Sequence, residues 1–571
     1  MRVRFTGHGA SRGSALGRAR VRLPHALDVA EQRIAPGAVE KEVSQLRAAV
    51  EATRAEMRSL RQRLHGALAK EVGEFLDLHA LLLDDPELLS GLHELIRIGR
   101  YSADYALRLQ RDRLAAVFAQ MDDPYLKSRM DDLDHVIGRI HAHLHQRADG
   151  PQGMAGEILV SDNVAPSELA QLQARGVVAV VTAAGSPLSH SAILARSLHL
   201  PLVVGAAHAL LKVNDGDVLT VDGGTGEVIV EPDANDLRRY RQRLRDVARE
   251  LRDLDRLRTK ATRTRDGVDI SLVANAESRE DISRAFELGA SGLGLYRTEF
   301  LFLQRNELPD EEEQFRTYRD AVLGMSGRPV TIRTLDLGAD KADRTGLVLD
   351  GEDNPALGLR GVRLSLANGK VFDTQLRAVV RASGYGPARI LVPMVSCREE
   401  ILLVRRKLKR ITRELRAEGH EIAASLPLGA MIEVPAAAIA MHGFVDLVDF
   451  VSVGTNDLVQ YLLAVDRNND ALAGLYSPLH PGVLRLLKHV INTGREHRTP
   501  VAVCGEMAGD PLMTPLLLAL GLCEFSLHPA TLLEVRKVVR NLDLAVLQAR
   551  APKLLLARDR AGIKRWLTAI A

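Results

Sequence analysis

From residue 267 onward the chain repeats one unit, a short apolar run followed by a helical stretch. The runs read VDISLVAN, GLGLYR, VTIRTLD, RILVPM, LGAMIEV, DFVSVG, PVAVCG and CEFSLH. A strand with one wet face alternates apolar and polar positions. These runs are largely apolar throughout, as in parallel strands covered on both faces. Eight such units between residues 267 and 571 are the arithmetic of a (β/α)8 barrel. An open doubly wound sheet is the alternative, but no glycine-rich dinucleotide fingerprint follows the first strand.

The first half of the chain has a different texture. Residues 1–20 form a glycine-punctuated, strand-like piece. Residues 37 to 148 are almost free of glycine and proline, and apolar positions recur at threes and fours, which predicts long antiparallel helices in a bundle. From 151 short β-rich runs return: GEILVS, GVVAVVTAA, LPLVVG, GDVLTVDG and GEVIVEP. Between them PSELAQLQARG carries a helix start and a glycine stop at Gly176. This predicts a compact α/β domain closing near residue 232. Residues 234–266 interleave basic and acidic side chains along one helix. That is the pattern of a solvated linker, and the acids argue against an arm for nucleic acid.

Composition narrows the function classes. A net charge of +3 against 76 Lys and Arg is too balanced for a nucleic-acid or anionic-membrane binder. No apolar run approaches the ~18 residues of a membrane span, and MRVRFTGHGASRG lacks the apolar core of a signal peptide. Three cysteines without CxxC spacing predict a reduced, cytoplasmic setting.

A barrel places its chemistry just past the C-terminal ends of its strands. The residues there are Arg297 and Glu299, Arg333, Asp336 and Lys341, Glu433, Asn456 and Asp457, Arg467, then Cys504 and Glu506. Singly, an arginine at a strand end reads as a structural ion pair, and Cys504 as a small buried residue. Together they describe a pocket for a small anionic phosphate ester. Arginines match phosphate oxygens in bidentate fashion. Glu433 and Asp457 offer hard oxygen ligands for Mg2+. A thiol beside an enolate could supply its proton.

The stretch GSPLSHSAILARSLHL carries a second centre. His190 follows a strand, a Gly-Ser-Pro turn and Ser189, where a helix would begin. Free N–H groups and the positive end of the helix dipole would hold a phosphoryl group on that imidazole. A capping or packing histidine is the bland alternative. The two centres fall in different domains, so transfer between them predicts a swivel about the charged helix.

These residues resemble enzyme I of the bacterial phosphoenolpyruvate:sugar phosphotransferase system, the phosphoenolpyruvate–protein phosphotransferases. The match runs through SHSAILARSLHLP, GLGLYRTEFLF, DLGADK, NPALGLRGVR, MIEVPAAA, VGTNDLVQYLLAVDRNND and CGEMAGD. The resemblance implies a multidomain α/β chain: a phosphohistidine α/β domain from 1–20 and 149–232, and an inserted helical bundle at 21–148. A linker helix at 233–266 and a barrel and dimerisation domain at 267–571 complete it. It implies that His190 carries the phosphoryl group and that Cys504 protonates the enolate. Arg297, Arg333 and Arg467 would bind phosphoenolpyruvate, with Arg360, Lys341 and Asn456 beside them, and Glu433 and Asp457 would ligate Mg2+. The implied acceptor is the histidine phosphocarrier protein HPr, with Glu71, His79, Asp85 and Glu87 as candidate contacts on the bundle. Homodimers, release of pyruvate and sugar transport downstream are also implied. The chain departs from the family pattern at Ser186-Pro187, Ala165 and the ASRG of residues 10–13.

Two other readings stay open on the sequence. Phosphoenolpyruvate synthase and pyruvate phosphate dikinase share both domains but need a nucleotide-binding domain ahead of the histidine, where this chain has a helical bundle. A phosphoenolpyruvate sensor without turnover would not need Cys504, Glu433 and Asp457.

Overall fold

The computed structural model describes residues 2–22, 31–63, 79–80, 82–120, 124–145, 154–164, 166–187, 189–198, 200–303, 307–338, 352, 354–467, 472 and 474–570. The chain divides into two compact units, Met1–Arg249 and Glu250–Ala571.

The first unit is built on an eight-stranded sheet. Its strands are β1 (Val3–Thr6), β2 (His8–Ser11), β3 (Ser14–Arg22), β4 (Glu157–Ser161), β5 (Ala179–Thr182), β6 (Leu202–Val204), β7 (Val218–Asp222) and β8 (Glu227–Val230), in the spatial order β1-β8-β7-β3-β4-β5-β6-β2. Strands β3 to β6 run parallel, and the flanking pairs are antiparallel. Successive side chains of a strand point to opposite faces. Accordingly Ile158 and Val160 of β4 enter one core while Leu159, between them, enters the other. Cores on both sides are why GEILVS reads as unbroken apolar sequence.

One of those cores is shared with the helical layer of α1 (Val39–Arg63), α2 (Pro86–Arg97), α3 (Ala103–Gln120) and α4 (Pro124–Leu144). Val43, Leu46, Val50 and Met57 line one stripe of α1, and Val136, Ile137 and Ile140 one stripe of α4. Asp85 starts α2 by accepting the Glu87 N–H at 2.8 Å, with Pro86 at the first helical position. Helices α5 (Pro166–Ala174) and α6 (His190–Ser197) follow later in this unit.

The expected linker helix over 233–266 forms over Ala234–Asp255 and stops there; it is termed α7. Its end has a physical cause. The buried Arg536 guanidinium donates to the carbonyls of Leu257 and Arg258 at 2.7 and 2.9 Å, and to those of Leu288 and Gly289 at 3.2 and 2.7 Å. Carbonyls drawn to a side chain no longer continue a helix. The start of α7 is fastened by Arg2 to Asp233 and Asp236 at 3.1 and 2.9 Å, and by an Arg243–Asp222 ion pair. Lys537 holds Glu250 at 2.9 Å.

The second unit is a closed barrel of eight parallel strands: β9 (Ser271–Ala276), β10 (Leu293–Tyr296), β11 (Val330–Arg333), β12 (Ala388–Val392), β13 (Leu428–Ile432), β14 (Phe450–Val453), β15 (Val501–Val503) and β16 (Glu524–Leu527). Each coincides with one of the eight apolar runs of the sequence, β9 and β12 reaching one residue beyond theirs. Leu295, Leu391, Met431, Phe450 and Cys504 form a small separate buried cluster contributed by five strands or strand ends. Gly429 admits the Phe450 ring, which would lie 2.4 Å from a Cβ at that position. Among the described residues no helix is long and apolar enough to cross a membrane.

Candidate active site

The strand ends bring most of the expected barrel residues to one mouth. Arg333 closes β11, Arg297 follows β10, Glu433 follows β13 and Cys504 follows β15. Asp457 lies in the first turn of the helix Thr455–Leu463 after β14. Asp336 is the centre of the charge network. Its carboxylate lies 3.1 Å from Arg333 Nη1 and accepts from Arg360 Nη2 at 3.1 Å. Arg333 Nη2 also meets Glu299 at 3.0 Å, and Glu299 accepts the Asp336 N–H at 3.1 Å. Arg360 reaches on to Tyr461 Oη at 3.1 Å and Asp457 at 3.6 Å. Arg297 pairs with Glu277. Arg333 Nε and Thr455 Oγ1 are buried with no hydrogen-bond partner among the described residues. Unmet donors of this kind suit an anionic oxygen.

Glu433 is buried and accepts the Met394 N–H at 2.6 Å. Met394 holds a left-handed φ of +58°, a strained conformation for a methionine. Burial, and then the charges of Asp336 and Asp457, push the Glu433 carboxyl well above the usual carboxylate range. The second contribution reflects an excess of negative charge among the described residues. Around the mouth, Glu277, Glu299, Asp336, Glu433 and Asp457 face Arg297, Arg333 and Arg360. A divalent cation between Glu433 and Asp457 would relieve that excess. Gly454 leaves a cradle there, since a Cβ would lie 2.7 Å from Glu433 Oε2. The donor set is all hard oxygen, which fits Mg2+.

Cys504 sits below this layer. Its thiol donates to the Val453 carbonyl at 3.5 Å, and its carbonyl accepts from Asn275 at 3.1 Å. Burial pushes the thiol up to about 11, so it stays protonated at neutral pH. Gly505 lets this loop touch the next one. A Cβ there would lie 1.9 Å from Thr455 Oγ1, and beside it Asn456 exchanges hydrogen bonds with Glu506 at 3.1 and 2.9 Å.

Not every expected residue joins the cluster. Arg467 is exposed and meets Gln460 Oε1 through its backbone N–H at 3.2 Å. Lys341 and Ala165 lie outside the described residues. The sequence reading missed Gln375. It is buried, accepts the Leu335 N–H at 2.9 Å, and donates to Thr298 and Tyr318 hydroxyls at 3.1 Å each. Thr298 in turn donates to the Arg333 carbonyl at 3.0 Å. Sequence offers no signal for such a residue, because a glutamine on a helix reads as solvated.

In the first unit, His190 is the first residue of α6, as the turn chemistry predicts. Gly185 takes φ +103°, Ser189 N–H donates to the Ser186 carbonyl at 3.0 Å, and Ser189 Oγ caps Ala192 N–H at 3.3 Å. Ser191 Oγ pins the first turn to the Val164 carbonyl at 2.7 Å. On the bundle, Asp85 and Glu87 lie at the start of α2, His79 is buried, and Glu71 lies outside the described residues.

Known proteins are similar to this chain in sequence. Family models described as "PEP-utilising enzyme, N-terminal", "mobile domain" and "PEP-binding domain" match residues 6–129, 153–226 and 252–544. A phosphoenolpyruvate-protein phosphotransferase of Cupriavidus necator is 43% identical, over 97% of each chain. The chain belongs to the phosphoenolpyruvate–protein phosphotransferases. A Geobacillus stearothermophilus protein of the same name is 39% identical over 94% of this chain and 93% of that one. An NMR structure titled as an Enzyme I protein aligns at 30% identity and TM-score 0.36, covering 43% of this chain and 99% of that chain. Membership in this phosphotransferase family makes the chain an enzyme of phosphoryl transfer.

Proposed function

We propose that the chain takes the phosphoryl group of phosphoenolpyruvate onto His190, releases pyruvate, and passes the group to a histidine of the phosphocarrier HPr. The observation that carries this reading is the interlocked Arg333–Asp336–Arg360–Asp457 network with Glu433 and a protonated Cys504 beside it. Arg297, Arg333 and Arg467, with Arg360, Lys341 and Asn456, bind and orient the substrate phosphate. Glu433 and Asp457 hold Mg2+, which when bound neutralises charge on the transferring group. The His190 imidazole forms its bond to phosphorus as the bridging P–O bond breaks. The Cys504 thiol gives its proton to the methylene carbon of the departing enolate, yielding pyruvate, and the thiolate regains a proton from solvent.

The domain roles belong to the same proposal. Residues 1–20 and 149–232 carry His190, residues 21–148 dock HPr near Asp85 and Glu87, and 233–266 link them to a dimerising barrel at 267–571. Three free cysteines accord with a cytoplasmic setting. The test is incubation with labelled phosphoenolpyruvate and Mg2+. An acid-labile adduct on His190 and pyruvate are expected, and ATP in its place should label nothing. His190→Ala should lose the label and keep substrate binding by calorimetry; an adduct elsewhere overturns the assignment.

A further inference from the structure

The helical layer carries a second set of ligand-type side chains, far in sequence from both centres. The run IHAHLH covers the end of helix α4 and the residue after it, and sets His141, His143 and His145 at alternate positions. Residues four apart share a helix face, and a residue between them does not. His143 turns to α1, where its Nε2 lies 3.0 Å from Glu56 Oε2. His141 and His145 turn together to α3. Their rings meet edge to face with centroids 4.6 Å apart. Both bring Nε2 to the same atom, Asp104 Oδ1 in the first turn of α3, at 3.5 and 2.9 Å.

Three potential ligand atoms from Asp104, His141 and His145 therefore lie within 4.8 Å of one another. Nitrogen and oxygen ligands held ~2.0–2.1 Å from one tetrahedral ion sit ~3.4 Å from each other. The two separations to Asp104, 3.5 and 2.9 Å, are already close to that value. The donor types also discriminate. Two imidazoles with one carboxylate suit Zn2+ and its transition-metal neighbours, whereas Mg2+ and Ca2+ prefer oxygen alone. Side-chain exposures of 20, 21 and 41% for His141, Asp104 and His145 leave an entry path from solvent.

We propose that Asp104, His141 and His145 form a binding site for a divalent transition metal, Zn2+ by its ligand set, that clips the start of α3 to the end of α4. Three protein ligands leave a fourth position for water or an incoming group. The site is separate from the Mg2+ carboxylates of the barrel in sequence, donor chemistry and preferred ion, so it does not depend on the reading of the active site.

The test uses the full chain with excess Mg2+ to fill the oxygen site, titrated with Zn2+ against a chromophoric chelator. One equivalent of Zn2+ is expected, together with a rise in the melting temperature of the first unit. Asp104→Ala and His145→Ala should each weaken that equivalent at least ~100-fold and abolish the zinc-dependent thermal shift. His143→Ala, facing Glu56, should leave both intact. Far-ultraviolet circular dichroism checks that α3 and α4 persist; His145 lies just past the last residue of α4, where truncation is tolerated. Unchanged zinc affinity in both ligand variants would overturn the proposal. So would a zinc equivalent removed by Cys523→Ser and retained in His145→Ala.

Discussion

Gln375 gives the sharpest test of how the barrel mouth is held. Its amide joins two strand ends: Leu335 N–H lies two residues past Arg333, and Thr298 lies next to Arg297. Gln375→Leu keeps most of the volume and removes all three hydrogen bonds. Leu335 N–H is buried and would be left without its acceptor, at about 1–3 kcal/mol. The lost bonds to the Thr298 and Tyr318 hydroxyls add about 1 kcal/mol between them, since either hydroxyl keeps another partner. The expected loss is thus about 2–4 kcal/mol. The unit Glu250–Ala571 has 322 residues, and at ~2.1 cal/mol/K per residue its unfolding entropy is roughly 0.7 kcal/mol/K. Scanning calorimetry should therefore show its melting temperature lowered by ~3–6 °C. Because both arginine-bearing ends lose registration, kcat/KM for pyruvate release should fall by ~10-fold or more. A variant with an unchanged melting temperature and unchanged kcat/KM would refute the claim that this buried amide positions the mouth.

Cys504→Ser should cut turnover at least ~100-fold while the fold is kept, and the wild-type pH–rate profile should show no ionisation of this thiol until near 11; a limb near 8.5 that vanishes in the variant would contradict the burial argument. Glu433→Gln should raise the Mg2+ concentration needed for pyruvate formation by ~100-fold or more. Because the folded carboxyl binds its proton more tightly than the unfolded one, metal-free wild-type protein should lose stability as pH rises from ~5 toward ~8. Glu433→Gln should flatten that slope in thermal melts, and an equal slope in both would show the carboxyl already ionised. Gly505→Ala drives a Cβ into Thr455 Oγ1 and should cost about 1–3 kcal/mol and lower kcat; wild-type melting and rate would show that the two loops can separate freely.

Much of this was legible before any coordinates, and for physical reasons. Each barrel strand is buried on both faces, so all eight stand out as apolar runs bounded by Gly, Pro or charge. The Gly-Ser-Pro turn and Ser189 announce the start of α6 because only a few residue types meet those backbone demands. The charged residues past the strand ends were readable because a barrel puts chemistry there. Other features were not readable. Asp336 was visible as an acid at a strand end, but its position between Arg333 and Arg360 depends on a residue 24 positions on. The end of α7 depends on Arg536, some 280 residues away. Asp104 and the histidines of α4 looked like scattered surface polarity until helix packing set them face to face.

The fastening of α7 has a mechanical consequence. Its first turns are tied by Arg2 and Arg243 to the sheet that precedes it, its Glu250 is held by Lys537, and the chain after its end is gripped by Arg536. Residues 244–249, between those ties, contain neither glycine nor proline. Bending α7 within that stretch would break several of its backbone hydrogen bonds. The stretch is therefore a stiff rod, and glycine placed at Val247 should lower the helicity of α7 measurably.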